Sequence, residues 1–307
     1  MTTEGPASRA LGASRALAGA PADRSARAPR GPILAAVGLV AVGLAAVGGL
    51  GLGGCRTGRG AGGDWPEPPE PAALLASLRR QGEGRTNLRA MGRVTALGPD
   101  GRVRLRTVLV AERPRSFRFE TLTPFEQPID VMTSDGERLW LLRDGRLFEG
   151  PATPENVARL LPLPMRPAEV VETLLGGVPV SDRFAPERVE PVDAGWRLHL
   201  RAPNGDRGVL LIEPRRRRVL EAELRDAAGQ LLVGVRFDRF EPADDGGPAV
   251  PTAIEVEVPP RRTRVRLRLT EAETDVALPP ALFVVRPPAG TRPEPFGLPA
   301  PPPPAAK

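Results

Sequence analysis

Two side chains in this sequence are candidates for chemistry that needs a nucleophile or a base: its one cysteine, Cys55, and its one histidine, His199. A single thiol closes no disulfide within the chain and completes no thiolate metal site. Cys55 follows the apolar, uncharged run Pro32–Gly51, which in turn follows an arginine-bearing segment. A positive segment, an apolar core and small residues before a cleavage point are typical of a secretory signal.

The residues Leu52-Gly53-Gly54-Cys55 resemble a bacterial lipobox, with leucine first and two small residues before the cysteine. The resemblance implies cleavage before Cys55 and acylation of its sulfur. Residues 1–54 are then a signal peptide with lipobox, and Cys55 is the lipidation site. Arg56 stands where an aspartate would imply retention in the inner membrane. The resemblance therefore implies a lipid-anchored protein of the cell envelope, at the outer membrane and facing the periplasm.

Two other interpretations of this stretch stay open. About 20 apolar residues can span a bilayer, so Pro32–Gly51 could be an uncleaved transmembrane helix. Its many glycines and alanines lower its hydrophobicity, which favours a cleaved signal. Cys55 could also be an ordinary buried cysteine, a role that does not explain its place directly after two glycines.

His199 is the candidate for the base that Ser-His-Asp chemistry requires. It alternates with Leu198 and Leu200, so it is predicted on the opposite, polar face of a strand among arginines. The carboxylate pair Asp244-Asp245, which a hydrolase would need to bury, lies in a loop of glycine and proline and is predicted to be a solvated turn. The sequence predicts no enzyme, no catalytic residue, no metal site and no cofactor.

The net charge of +6 and the pI of about 10.9 suggest a nucleic-acid partner at first sight. Lys307 is the only lysine, residues 1–54 carry half of the excess charge, and the remaining charges alternate in sign along the predicted strands. Such alternation is typical of a solvated sheet face rather than of a nucleic-acid groove. No nucleic-acid partner is expected.

From Cys55 onward the sequence divides into three parts. Residues 55–71, which are rich in glycine, proline and glutamate, are predicted to be a flexible tether. Residues 72–288 are predicted to be one β domain of about twelve strands, and residues 289–307 a Pro-rich disordered tail. The predicted helices are Pro71–Arg80, Asn156–Leu161 and Arg166–Leu175.

Hairpin turns predict the register of several strand pairs, because apolar side chains on one face must lie opposite one another. The predicted opposite pairs are Val94–Leu105, Ala96–Val103, Leu198–Leu211, Leu200–Val209, Leu220–Val235, Ala222–Val233, Leu224–Leu231, Ile254–Leu267 and Val256–Val265. On the outer face of the last hairpin, the predicted neighbours of opposite charge are Glu255–Arg266 and Glu257–Arg264.

The order of one helix, six strands, two helices and six further strands resembles the LolA/LolB lipoprotein-carrier family over roughly residues 73–288. The stretches that carry the resemblance are Arg115–Glu120, Thr123–Phe125, Asp135–Trp140, Leu160–Pro167, Leu174–Gly177, Val250–Ile254 and Phe283–Pro287. The resemblance implies a mainly β fold with a few helices. It would be a single antiparallel, strongly curved incomplete barrel, with short helices covering its concave apolar face.

Alternation with period two places a set of apolar side chains on the face that the helices would cover. These cavity candidates are Val103, Leu105, Phe117, Phe119, Leu198, Val233, Val235, Val256 and Leu267. Phe125 lies in the short connection after the third strand. It is interpreted as a residue of the rim, with a membrane-contacting tip as the alternative.

The resemblance implies a monomeric, non-catalytic protein that binds lipid acyl chains or lipoproteins, and accepts or inserts them at the outer membrane. A different hypothesis is a structural or assembly-factor lipoprotein that binds protein partners and has a filled interior. The two hypotheses differ in one observable feature. A carrier needs an apolar cavity on the order of a few hundred Å³ between sheet and helices.

Overall fold

The structure, a computed structural model, describes residues 65–161, 163–242, 249–285 and 292–296. The signal peptide 1–54, the lipidation site Cys55 and the pair Asp244-Asp245 lie outside these residues. The helices are α1 (Pro71–Glu83), α2 (Pro154–Leu160) and α3 (Pro167–Leu175), with short 3-10 helices at Pro259–Arg261 and Pro280–Phe283. The strands are β1 (Asn87–Gly98), β2 (Gly101–Glu112), β3 (Ser116–Leu122), β4 (Pro128–Ser134), β5 (Arg138–Arg143), β6 (Arg146–Pro151), β7 (Ala185–Val192), β8 (Gly195–Arg201), β9 (Arg207–Glu213), β10 (Arg218–Arg225), β11 (Leu231–Glu241), β12 (Val250–Val258), β13 (Thr263–Thr274) and β14 (Glu294–Pro295).

Within the described ranges the strands form one sheet of fourteen, in the order β14-β6-β5-β4-β3-β2-β1-β13-β12-β11-β10-β9-β8-β7. Neighbouring strands are antiparallel except for the parallel pair β6–β14. The pairing of β1 with β13 joins the first half of the chain to the second. The sheet does not close, because β7 and β14 end it on either side. This confirms the predicted mainly β fold, a curved incomplete barrel with few helices.

The three α-helices lie where the sequence predicts them, and each has a proline in its first positions. Proline suits this place because a first-turn N–H has no partner within the helix. The hydroxyl of Thr153 caps α2 by accepting a hydrogen bond from the Asn156 N–H (3.3 Å). Helix α3 ends at Gly176, whose φ of +66° suits a left-handed cap. Among the described residues, no helix combines the length and the hydropathy that a membrane span requires.

Helix α3 packs against β1, β2, β3 and β12, so it covers the centre of the concave face. Helix α1 packs against β7, the strand at one edge of the sheet. The helical side chains that are buried in the core include Leu74, Leu75, Leu78, Val170, Val171, Leu174 and Leu175. Burying each such side chain stabilises the fold by about 1.5–3 kcal/mol.

The predicted registers of the β1–β2 and β12–β13 hairpins are confirmed at all of their apolar pairs. The predicted charged neighbours on the outer face are confirmed as well. Arg266 donates hydrogen bonds of 2.5 and 2.8 Å to Glu255, and Arg264 donates one of 3.2 Å to Glu257.

The predicted register of the β8–β9 hairpin is wrong by one residue, since Leu198 lies opposite Leu210 and not Leu211. The loop has three residues instead of four, because the Ala202 N–H still donates to the Asp206 carbonyl (2.9 Å). A shift of one residue inverts the two faces of a strand. Leu210 is therefore buried in the core, and Leu211 is half-buried on the outer face.

The predicted register of the β10–β11 hairpin is wrong by two residues. Ala222 lies opposite Val235 and not Val233. One residue of the shift comes from the turn, where the Asp226 N–H donates to the Gln230 carbonyl (3.0 Å) and closes a three-residue loop, and the other comes from a bulge between Leu224 and Arg225. A shift of two residues keeps both faces, so Val233 and Val235 are still buried as predicted.

Strand β7 was not among the predicted strands, because Pro186 and Pro191 interrupt its pattern. It lies at an edge of the sheet, where strands tolerate proline.

The prediction of a disordered tail is wrong for residues 292–296. There β14 pairs with β6, and the Phe296 ring stacks on Phe148 with 6.4 Å between centroids.

The predicted flexible tether is held against the domain at its end. The Trp65 Nε1–H donates to the Asp193 carbonyl, and the Trp196 Nε1–H donates to the Pro66 carbonyl, both at 2.9 Å. The Arg215 guanidinium also lies over the Trp65 ring, 5.7 Å from its centroid. The prediction of flexibility is therefore wrong for residues 65 and 66.

Candidate functional site

An apolar cavity of about 200 Å³ lies between the concave face of the sheet and helix α3. Four of the predicted cavity residues line it: Leu105, Phe119, Val256 and Leu267. The rest of its apolar lining comes from neighbouring strands, from α3 and from the segment after α2, and consists of Val94, Ala96, Met132, Leu141, Leu161, Leu163, Met165, Val170, Leu174, Ile254 and Val265.

The strand registers bring the lining side chains into rows across the sheet. Val94 of β1 lies opposite Leu105 of β2 on one side and opposite Leu267 of β13 on the other. Leu267 in turn lies opposite Ile254 of β12. One apolar row therefore crosses four adjacent strands, and the period-two alternation of each strand keeps the whole row on the concave face.

The other five predicted cavity residues do not line the cavity. Phe117, Leu198, Val233 and Val235 are packed in the solid core. Val103 is half-buried and lies outside the lining. Alternation assigns a side chain to a face of the sheet, but it does not show which part of that face the helices leave open.

The segment after α2 supplies cavity residues that the sequence analysis missed. The Leu163 N–H donates to the Leu161 carbonyl (2.6 Å), and the Met165 N–H donates to the Leu163 carbonyl (2.9 Å). Each bond closes a turn of three residues, which a chain interrupted by prolines can form without helical hydrogen bonds. Apolar residues alternating with proline were the sequence signal for a non-helical segment facing the core.

One ion pair lies among the apolar lining residues. Arg143 of β5 donates two hydrogen bonds, of 2.7 and 2.8 Å, to the carboxylate of Asp130 on β4. The two residues are opposite one another in the sheet and are largely buried. Because each charge satisfies the other, this pair adds a polar boundary to the cavity without an unpaired charge.

Phe125 lies in the β3–β4 connection, and 87% of its surface is exposed. The hydroxyl of Thr123 shapes this connection by accepting hydrogen bonds from the N–H groups of Phe125 (3.2 Å) and Gln127 (3.1 Å). Arg106 also pairs with Glu126 at 2.9 Å. The interpretation of Phe125 as a packed rim residue is wrong, because the connection is too short and polar to fold its ring back onto the sheet.

His199 lies on the face opposite the buried Leu198 and Leu200. Its Nε2 is 2.9 Å from a carboxylate oxygen of Glu190 and 3.1 Å from the Arg188 guanidinium. The hydrogen bond from His199 lowers the pKa of Glu190. Within the part of the chain that the structure describes, no three histidine, cysteine or acidic side chains are grouped as a metal would require.

Comparison with solved structures finds the same architecture in bacterial proteins of low sequence identity. One is a LolA superfamily protein from Nitrosomonas europaea, with 16% identity and a TM-score of 0.50, covering 71% of this chain and 99% of that one. Another is a DUF1329 family protein from Desulfovibrio piger, with 13% identity and a TM-score of 0.53, covering 70% and 98%. No family model and no curated protein matches the sequence.

Proposed function

We propose that this chain, which has the LolA/LolB-like fold, binds lipid acyl chains in its apolar cavity. The observation that supports the proposal is the cavity of about 200 Å³, lined by apolar side chains of several strands and of α3. Transferring an alkyl chain from water to such a lining is favourable and needs no specific polar partner. A structural or assembly-factor lipoprotein would instead need a filled interior.

The size of the cavity restricts its occupant. Pockets for drug-sized ligands measure ~300–1,000 Å³, and this cavity is smaller at about 200 Å³. The occupant is therefore one segment of an acyl chain, with its headgroup outside. The paired charges of Asp130 and Arg143 do not compete for such an apolar segment.

The proposed setting is the cell envelope. The chain would be a non-catalytic lipoprotein that is anchored through acylated Cys55 to the outer membrane and faces the periplasm. There it would accept or insert lipoproteins or lipids by their acyl chains. The apolar cavity and the lipobox-like sequence before Cys55 support this role independently of each other.

The replacement Phe119→Ala tests the cavity. We expect it to abolish binding of a fluorescent fatty acid while the protein stays folded, because the ring lines the cavity and is only partly buried. Phe117→Ala is the contrasting variant. That ring is fully buried 5.6 Å from Phe119, so its loss should cost about 3–5 kcal/mol of stability. Wild-type protein that binds no fatty acid would refute the proposal.

The replacement Cys55→Ser tests the anchor. It removes the sulfur that carries the lipid, so we expect neither lipid attachment nor cleavage before residue 55. Mass spectrometry of the purified protein and fractionation of membranes measure both. A variant that is still cleaved there, and still sediments with membranes to the same extent, would show that Cys55 is not the anchor.

A further inference from the structure

A second pocket, of about 170 Å³, lies on a different part of the molecule and shares no lining residue with the apolar cavity. It is formed by the end of α1, the residues after α3 and the turn between β9 and β10. Its charged lining consists of four arginines: Arg85, Arg216, Arg217 and Arg218. Among the described residues, no acidic side chain lines it.

Arg85 is the buried member of this group, with 6% of its surface exposed. Its Nη1–H donates to the Ala249 carbonyl (2.9 Å), which fixes the guanidinium in place. Its Nε–H is buried and has no hydrogen-bond partner among the described residues. A buried cation with an unpaired donor is costly, and an anion in the pocket would supply the missing acceptor.

Nearby charges leave the pocket positive. Burial lowers the pKa of Arg85, and repulsion from Arg113 and Arg218 lowers it further. Glu172, a nearby carboxylate that attracts Arg85, is already paired with Arg113. Asp275, the other such carboxylate, accepts hydrogen bonds from the Thr86 N–H (2.6 Å) and hydroxyl (2.7 Å).

The turn that carries the other arginines is held by its neighbours. The Gln81 amide at the end of α1 donates to the Arg216 carbonyl (3.0 Å). The Arg218 guanidinium lies over the Phe240 ring, 4.9 Å from its centroid. Arg217 adopts a positive φ of 50°, as the tight turn requires. The Arg218 side chain and the backbone of the turn are thus held before any ligand arrives, which reduces the entropy cost of binding.

We propose that this pocket binds a phosphate group, either as free phosphate or as the phosphate ester of a lipid headgroup. Four arginines from two separate parts of the chain line the pocket, which suits a multiply charged anion, and arginine is the side chain that best matches phosphate geometry. This site is additional to the proposed acyl-chain cavity and does not depend on it.

Calorimetric titration of the full-length protein in a zwitterionic detergent tests the site. The two probes are inorganic phosphate and glycerol 3-phosphate, which is a deacylated lipid headgroup, each against sodium chloride of equal ionic strength. Binding of inorganic phosphate alone identifies a site for the free ion. Binding of glycerol 3-phosphate alone identifies a headgroup site, and binding of both supports the shared phosphate chemistry.

The test variant is Arg216→Gln/Arg217→Gln, since both side chains are exposed and their loss should not prevent folding. Its matched control is Arg207→Gln/Arg215→Gln, which removes the same charge from exposed arginines outside the pocket. We expect the test variant to bind about a hundredfold more weakly, and the control to change by less than about twofold. Arg85→Gln should also abolish binding, if that variant folds.

Equal weakening of both double variants would show attraction to the net charge of the protein and would overturn the proposal. Heats that do not differ from those of sodium chloride for either probe would also overturn it. Fatty-acid binding is expected to be unchanged in Arg216→Gln/Arg217→Gln. Failure of this site and failure of the acyl-chain cavity are therefore separate results.

Discussion

At the scale of single residues, Phe125 is the clearest exception to the burial of aromatic rings in this protein. The described chain exposes few large apolar side chains, and the others are exposed far less than the 87% of Phe125. A ring held in water by a short connection adds nothing to the core. Its exposure is informative only if something else covers it, and with the lipid anchor proposed at Cys55 that surface would be the membrane.

Phe125→Ser should change the free energy of unfolding by less than about 0.5 kcal/mol, because the ring has almost no contacts to lose. It should weaken binding to lipid vesicles about tenfold, since burying a Phe side chain is worth ~1.5–3 kcal/mol. Vesicle sedimentation of protein that begins at Arg56 measures this without the lipid and without the apolar run Pro32–Gly51. Leu97→Ser is the control, because Leu97 is also exposed but lies on the β1–β2 hairpin. An equal effect of both changes would contradict a specific role for Phe125.

At the scale of elements, the end of α3 fixes the position of the helix, and this helix supplies one side of the cavity lining. Gly176 combines a positive φ of 66° with close packing, since a Cβ atom there would lie 2.6 Å from Cδ of Pro251. The proline ring cannot rotate away. Gly145 has a similar φ of 73° in the β5–β6 turn, but no atom lies within 4 Å of an added Cβ. An alanine at Gly145 would therefore introduce backbone strain alone, whereas an alanine at Gly176 would introduce backbone strain and a steric clash.

Gly145→Ala should cost about 1 kcal/mol, and Gly176→Ala about 2–4 kcal/mol, because only the second adds overpacking to the strain. Chemical denaturation measures both values. Gly176→Ala should also weaken fatty-acid binding, because α3 carries the cavity residues Val170 and Leu174. Equal costs for the two variants would show that Pro251 moves aside freely.

The elements also show how far the sequence alone leads. Turn residues and alternation predict the β1–β2 and β12–β13 registers correctly, because both loops have the expected length. They fail at Leu198, where a three-residue loop replaces one of four. They also miss β7, because an edge strand tolerates prolines that a central strand would exclude. Loop length and strand position are settled by the fold as a whole.

The candidate site was predictable to a similar degree. The concave face could be read from alternation, and Phe119 and Leu267 do line the cavity. Phe117 and Val235 share that face but are covered, and coverage depends on where α3 and residues 161–165 settle. The arginine pocket could not be predicted, because Arg85 and Arg216 are far apart in sequence and only the packing of α1 brings them together.

At the scale of the whole molecule, a ligand in the cavity contacts strands from both halves of the chain. It should therefore stabilise the entire domain rather than one element. A ligand at a hundred times its Kd adds about 2.7 kcal/mol to the free energy of unfolding. For a domain of this size this corresponds to a rise in Tm of about 5–10 °C.

Thermal melts with and without fatty acid measure this rise. Phe119→Ala should lose it, and Arg216→Gln/Arg217→Gln should keep it. If fatty acid binds in titration but leaves the Tm of the wild type unchanged at saturation, the binding does not distinguish the folded domain from the unfolded chain. The cavity would then not be the site.

The docking of Trp65 onto the β7–β8 turn bears on how far the domain could travel from the anchor proposed at Cys55. Ten residue steps separate Cys55 from Trp65. At ~3.6 Å per residue, the segment between these two residues spans at most about 36 Å even when fully extended. If Cys55 carries the proposed lipid, a domain on so short a connection would stay beside its own bilayer and would not reach across the envelope. In the proposed role, any cargo would then have to be brought to it by a mobile donor. Because Trp65 stacks with Arg215, the adjoining arginine turn would be the part kept nearest to the headgroups.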